Sequence, residues 1–228
     1  MNVNGIDIQI ERKTIKNIHL SVYPPDGRVH ISAPEDTSEA ALKSYAMRKM
    51  AWIMQKQSLL TSYERQPQRE YVSGEAHYYF GSLYRLKVIR DNAVLQHVER
   101  NGDYLEVYVK ERAESQHIEN VLFEWYRSEL KPVVEKFINK WSMILDIMPL
   151  SYEIRLMTSQ WGSCTPKSKR LLFNLQLAKK PINCIEYVVV HEMAHLIERT
   201  HSQKFRLILS RNIPNWEMLQ KQLNEFPL

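Results

Sequence analysis

Tyr187-Val188-Val189-Val190-His191-Glu192-Met193-Ala194-His195-Leu196-Ile197-Glu198-Arg199-Thr200-His201 is the stretch on which the reading of this chain turns. It contains H-E-x-x-H at His191, Glu192 and His195, and the spacing carries the chemistry. Residues four apart on an α-helix lie about one turn apart on one face, so both imidazoles can converge on one ion. The intervening glutamate sits about 100° round the helix, close enough to a metal-bound water to take its proton without itself becoming a ligand. The surrounding Val188, Val189, Val190, Met193, Ala194, Leu196 and Ile197 make the segment apolar nearly all round, which predicts a buried helix. Two histidines and a glutamate in such a helix are costly unless a cation satisfies them.

A catalytic zinc site usually takes three protein ligands and keeps a position for water. His201 is the favoured third ligand, six residues after His195, the offset of the longer H-E-x-x-H-x-x-G-x-x-H pattern, with Glu198 where that pattern has glycine. On a continued helix His201 would lie about 9 Å beyond His195 along the axis, so the chain has to turn near Arg199 and Thr200. Glu198 is the rival, nearly in line with His191, as a carboxylate ligand or a hydrogen-bond partner of one. One zinc per chain is expected.

Outward from the motif, Pro181 precedes the helix and two short helices are expected on either side of Pro214. Upstream come a strand near Glu153 to Met157, a turn at Trp161-Gly162-Ser163-Cys164, and a strand from Arg170 to Leu177 with Leu171, Phe173, Leu175 and Leu177 on one face. From Ser115 the spacing of Ile118, Val121, Leu122, Trp125, Leu130, Val133, Val134, Phe137, Trp141 and Leu145 predicts a long amphipathic helix, which Pro132 kinks or divides.

The first third reads differently. Ile6, Ile8 and Ile10, then Ile18, Leu20 and Val22, then Val29 and Ile31 alternate with polar residues around the turn Pro24-Pro25-Asp26-Gly27, predicting an antiparallel meander with one buried face. Asp36 with Glu39 predicts the cap of a helix carrying Leu42, Tyr45, Ala46, Met50, Ile53 and Met54. Arg65 to Arg69 reads as a connection, and strands are expected at Tyr78 to Ile89 and Tyr104 to Val109. Tyr71, Tyr78, Tyr79 and Tyr84 fit core and cross-strand pairs better than base stacking. No internal repeat is visible. The expectation is an α+β protein, with an antiparallel β-rich region with one helix over residues 1–112 and a catalytic domain over 113–228.

The chain's 228 residues with 44% hydrophobic content can bury a core. No apolar run approaches the roughly 20 residues of a membrane-spanning helix, and the start lacks the character of a secretory signal, which places the expected site of action in the cytoplasm. Two cysteines, Cys164 and Cys184, are too few for a disulfide scaffold and are expected as free thiols. The formal charge of +5 lends nucleic-acid contact no specific support, since no run of five Lys/Arg occurs.

Trp161-Gly162-Ser163-Cys164, Asn174, Pro181, Tyr187 to Glu192, His195-Leu196, His201-Ser202 and Phe205 together resemble the YgjP-like family of zinc metallopeptidases, over nearly the whole chain. More distantly they are similar to the SprT-like and Wss-type proteases that act on proteins attached to DNA. The resemblance implies a zincin-like domain in which His191, His195 and His201 bind zinc and Glu192 is the base. Gln160, Thr200 and Arg206 depart from the family's usual arginine, asparagine and tryptophan, and none is a ligand or the base.

Peptide-bond hydrolysis is the leading reading, with a peptide or protein as substrate. The alternatives are a metal-dependent nucleotide phosphohydrolase, disfavoured by the lack of a Gly-rich phosphate loop or a carboxylate cluster for a second metal, and a zinc-stabilised binding module acting at DNA or a partner protein, which has no need of Glu192. Trp161 to Cys164 either line the cleft, where an extended peptide adds as a strand, or form a tight turn packing Trp161 into the core. Cys164 as a fourth ligand would close the site.

Overall fold

Alternation of apolar and polar residues does build the first sheet, but with mixed strand directions. In a computed structural model that describes residues 1–23, 26–62, 69–158 and 160–225, the chain divides into two compact units, Met1–Pro67 and Gln68–Leu228. In the first unit, β1 (Asn2–Val3), β2 (Ile6–Lys13), β3 (His19–Tyr23) and β4 (Arg28–Pro34) lie in the order β1-β2-β4-β3. β2 runs parallel to β4, while β1 and β3 are antiparallel to their neighbours. The expected meander is thereby corrected. Alternation specifies which face is buried; it does not say which strand becomes the neighbour or in which direction it runs.

Ile8, Val29, Ile31 and Ala33 share a core with Leu42, Ala46 and Ile53 of two helices, α1 (Glu39–Arg48) and α2 (Met50–Ser62). The cap of α1 is Ser38, whose Oγ accepts from the Ala41 amide at 3.3 Å, and not Asp36. The single helix expected here is broken at Lys49, and Met54 of its predicted apolar stripe is exposed. Pro24 and Pro25 of the predicted turn and residues 65–68 of the predicted connection lie outside the described residues.

The second unit opens on the same arrangement. β5 (Ala76–Tyr79), β6 (Ser82–Arg90), β7 (His97–Asn101) and β8 (Tyr104–Val109) lie in the order β5-β6-β8-β7, with β6 parallel to β8. The parallel registers correspond: Ile8↔Val29 through Arg12↔Ala33 in one, Leu86↔Leu105 through Arg90↔Val109 in the other. Each first hairpin closes on a two-residue turn with both φ angles positive, Asn4-Gly5 (51° and 81°) and Phe80-Gly81 (44° and 85°). Arg12 donates from Nη1 to the carbonyls of Glu35 and Thr37 at 3.0 and 2.7 Å, and Arg90 likewise to Glu111 and Ala113 at 2.8 and 2.9 Å. In each copy the next helix starts two residues further on, at Glu39 or Ser115. The fold therefore contains an internal duplication that the sequence hides, because what the copies share is backbone pairing and alternation, which many side chains satisfy.

The helix after β8, α3 (Ser115–Leu145), is continuous through Pro132. It buries Ile118, Leu122, Leu130, Val134, Phe137 and Trp141 of the predicted stripe, with Tyr126 and Ile138 added to it. These join one core with Leu86, Leu105 and Val107 on one side and Leu171, Phe173 and Val189 on the other. The change of period near residue 112 thus marks a strand-to-helix transition inside the second unit. Tyr71 and Tyr79 belong to this core, with their hydroxyls donating to Glu119 and Glu129.

Next come β9 (Ser151–Arg155), β10 (Gly162–Thr165) and β11 (Arg170–Asn174), in the order β10-β11-β9, then a 3-10 turn at Leu175–Lys179. Trp161 to Cys164, expected as a turn, instead lead into and form β10, antiparallel to β11. Helices α4 (Ile182–Ala194), α5 (Gln203–Asn212) and α6 (Trp216–Glu225) complete an α+β fold, the last two flanking Pro214 as expected. The Phe80 amide donates to the Ala178 carbonyl at 2.8 Å, and a Cβ on Gly81 would fall 2.9 Å from Pro181 Cγ, so the β5–β6 turn seats directly on the residue that starts α4. Among the described residues, no helix is long and apolar enough to cross a membrane.

Candidate metal centre

The motif lies on α4, and the burial of Cys184, Ile185, Val188, Val189, Val190, Met193 and Ala194 fixes that helix in the core. The helix ends at Ala194, with His195 as its C-cap. The chain then turns: the Glu198 amide donates to the Ala194 carbonyl at 2.9 Å, and the Glu198 carboxylate accepts from the Thr200 amide and hydroxyl at 3.3 and 3.1 Å. Ser202 caps α5 by accepting from the Phe205 amide at 3.3 Å. This turn returns His201 to the helix, with its Nε2 3.1 Å from Nε2 of His191.

His191, His195 and His201 have ligand atoms all within 4.8 Å of one another, and among the described residues they are the one group of His, Cys, Asp or Glu so arranged. Glu198 is not part of it, and neither is Cys164. The ring nitrogens away from the cluster are also accounted for. His195 Nδ1 lies 3.1 Å from the Glu198 carbonyl, an acceptor only, so Nδ1 carries the hydrogen and Nε2 is left bare. His191 Nδ1 lies 3.4 Å from the Tyr187 hydroxyl, which can accept its hydrogen. Phe205 packs against all three rings, at centroid distances of 5.0, 4.5 and 4.8 Å, and forms an apolar floor.

Burial, helped by the neighbouring histidines, lowers the His191 pKa to about 3, and burial lowers that of His195. Both imidazoles are therefore neutral at pH 7, the form that ligates. Two nitrogens on one tetrahedral zinc stand about 3.4 Å apart for bonds of about 2.05 Å, close to the 3.1 Å between His191 and His201. The donor set fits a zinc-type ion.

Glu192 is 6% exposed, and burial raises its carboxyl pKa to about 8. Among the described residues no donor hydrogen-bonds to it. Its nearest wall is β10: a Cβ on Gly162 would lie 2.8 Å from both Cγ and Oε1 of Glu192. Gly162 is thus a glycine for want of space. Burial and the Glu192 charge raise the half-buried Cys164 thiol to about 11, keeping it protonated, and both cysteines are free.

Trp161 stands outside this contact. Its Nε1 donates to Asn224 Oδ1 at 3.2 Å, and the buried Lys180 lies 4.7 Å from its ring centre while donating to the Leu223 carbonyl at 3.0 Å. It is an anchor for the strand, braced by α6. Asn174, which the sequence singled out without a role, is fully buried and ties the segment entering β10. Its Nδ2 donates to the carbonyls of Met157 and Gln160, both at 2.8 Å, and its Oδ1 accepts from the amides of Met157 and Gln176. Tyr187 and Phe205 are likewise picked out in the sequence only through the family resemblance, without a role.

With this geometry in hand, the comparison with known families is specific: the chain belongs to the YgjP-like metallopeptidase family, whose domain profile matches residues 16–226. No curated protein matches it. Among solved structures it is similar to the metallopeptidase zymogen of Pyrococcus abyssi abylysin, at 19% identity over 40% of this chain and 90% of that one, with a TM-score of 0.38. A second is the zymogen of Methanocaldococcus jannaschii jannalysin, at 20% identity over 40% and 92%, with a TM-score of 0.36.

Proposed function

We propose that the chain is a zinc-dependent peptidase in which His191, His195 and His201 hold one zinc ion and Glu192 is the general base. The observation that carries this reading is a buried carboxyl, without a hydrogen-bond donor among the described residues, beside three converging imidazoles. Zinc, when bound, supplies Lewis acidity toward water and toward a carbonyl oxygen. In the metal-free chain burial keeps a proton on Glu192 at neutral pH, and a cation held by the adjacent histidines favours the ionised carboxylate that accepts one. Glu192 then takes a proton from the attacking water at a carboxylate oxygen and delivers it to the leaving amine.

Gly162 brings β10 against Glu192, and β10 is an edge strand of its sheet among the described residues. Its open edge offers backbone donors and acceptors to an extended peptide, which would lie across the site as an added strand. The test is turnover of a peptide panel, with nucleoside triphosphates alongside, by zinc-loaded wild type and Glu192→Gln at matched metal content. Loss of the base should lower peptide turnover about 10² to 10⁴-fold. Equal turnover by the two proteins would remove Glu192 from the mechanism.

A further inference from the structure

One segment beside the candidate metal centre carries cations and no carboxylate. From Arg199 to Arg211 the sequence carries Arg199, Lys204, Arg206 and Arg211 and no Asp or Glu. All four are exposed, and among the described residues none takes part in an ion pair. Lys87, Lys140, Arg155 and Arg170 find carboxylates, whereas Lys43 and Arg48 on α1 are exposed and, among the described residues, unpaired in the same way.

This segment is fixed at the site at two points. His201 joins the cluster, and Phe205 lies under all three imidazoles. On α5 Lys204 and Arg206 stand on either side of buried Phe205, each about 100° round the helix, and His201 itself is exposed. Lys167 and Lys169, also exposed and, among the described residues, without ion pairs, lie just beyond the far end of β10, whose near end touches Glu192. Of the carboxylates nearest in sequence, Glu192 is buried, Glu198 accepts from Thr200 and Glu186 pairs with Lys140, while Glu217 is exposed on α6. Like charges gathered without counter-ions repel one another and attract anions.

We infer that the cleft selects anionic substrates, and specifically polypeptide segments bearing Asp or Glu on the side of the cleaved bond that faces α5, with Lys204 and Arg206 as the principal contacts. This rests on the peptidase reading for the identity of the bond but not for the sign of the charge. Each exposed pair formed would strengthen binding by a factor of about 2 to 5, so two give about 4 to 25-fold.

The test is fluorescence anisotropy with a labelled ten-residue peptide carrying four Glu and its counterpart carrying four Gln, on zinc-loaded and zinc-free protein, with Glu192→Gln used where cleavage interferes. The Glu peptide should bind about 4 to 25-fold more tightly at low salt, and 0.5 M salt should erase most of that ratio. Lys204→Gln with Arg206→Gln should bring the ratio close to one, whereas Lys43→Gln with Arg48→Gln on α1, which removes the same charge, should leave it intact. Equal binding of the two peptides, or equal effects of the two double variants, would overturn the inference. If neutral peptides are then cleaved as fast as acidic ones, the peptidase reading survives its loss. If a nucleoside triphosphate displaces the Glu peptide and is the compound hydrolysed, the anion-selecting flank stands and the peptidase reading falls.

Discussion

Replacing Gly162 by alanine puts a methyl carbon 2.8 Å from Glu192 Cγ and 2.8 Å from its Oε1. Carbon atoms in contact prefer about 3.5 to 4.0 Å, so the two groups must separate by about 0.7 Å or more. Neither can do so freely. Cγ is near the root of the Glu192 side chain, α4 is buried beside it at Val189 and Met193, and β10 is tied to β11 through the pair Gly162↔Phe173. Overpacking of this kind costs about 1 to 3 kcal/mol, which for a unit of this size lowers Tm by about 2 to 12 °C. The displaced carboxylate should lower kcat about 10²-fold, as a misplacement near 1 Å does. Zinc content should be unchanged, since the histidines are not contacted. Melting curves and turnover at matched zinc for Gly162→Ala, Glu192→Ala and the double variant form a cycle. In it, the stability lost through the added methyl should largely return once the Glu192 side chain is gone. A Gly162→Ala protein with wild-type Tm and kcat, or a loss that persists in the double variant, would refute the reasoning.

Removing either helix histidine, His191→Ala or His195→Ala, should empty the site, because two imidazoles make a poor cage; metal analysis after dialysis reads this directly. His201→Ala should weaken zinc binding by at least 10-fold while Glu198→Ala changes it little, and the reverse order in a competition titration would make Glu198 the third ligand. His77 supplies a pH prediction. It is 1% exposed, and burial, with Arg69 and Lys179 nearby, lowers its pKa to about 4 against the pull of Glu75. The unfolded chain therefore binds the proton first as pH falls. Stability that is intact above pH 6.5 should decline by about 3 kcal/mol by pH 4, and His77→Phe should flatten that part of the Tm-pH curve.

Much of the candidate site was legible in the sequence because its logic is local. Four residues make one helical turn, so His191 and His195 declare themselves, and the need for His201 to come back requires the turn that Glu198 and Thr200 form. The segment around α3 was legible for the same reason. Contacts between distant segments were not. Nothing in Trp161-Gly162-Ser163-Cys164 announces a strand, since Gly and Ser read as turn residues, and the packing of Gly162 on Glu192 joins positions thirty residues apart. β7, with Val98 as its one buried residue, has too little alternation to be seen. The break at Lys49 falls among good helix formers, where propensity gives no warning. Strand direction is invisible to a two-residue period, which is how a parallel pair came to be read as a meander.

The duplicated hairpin turns show how differently two copies of one module can be bound by their neighbours. Gly81 must be glycine twice over, for its positive φ and for the Pro181 ring against it, whereas Gly5 has nothing within 4 Å and answers only to φ. The first copy is thus free to change at its turn wherever the backbone permits, and Asn or Asp in place of Gly5 would be tolerated there. The second has lost that freedom, because any side chain at Gly81 would push on the first turn of α4. A substitution at Gly81, far from His191 in the sequence, would in this way press on the start of the helix that carries His191, whereas one at Gly5 would meet nothing within 4 Å.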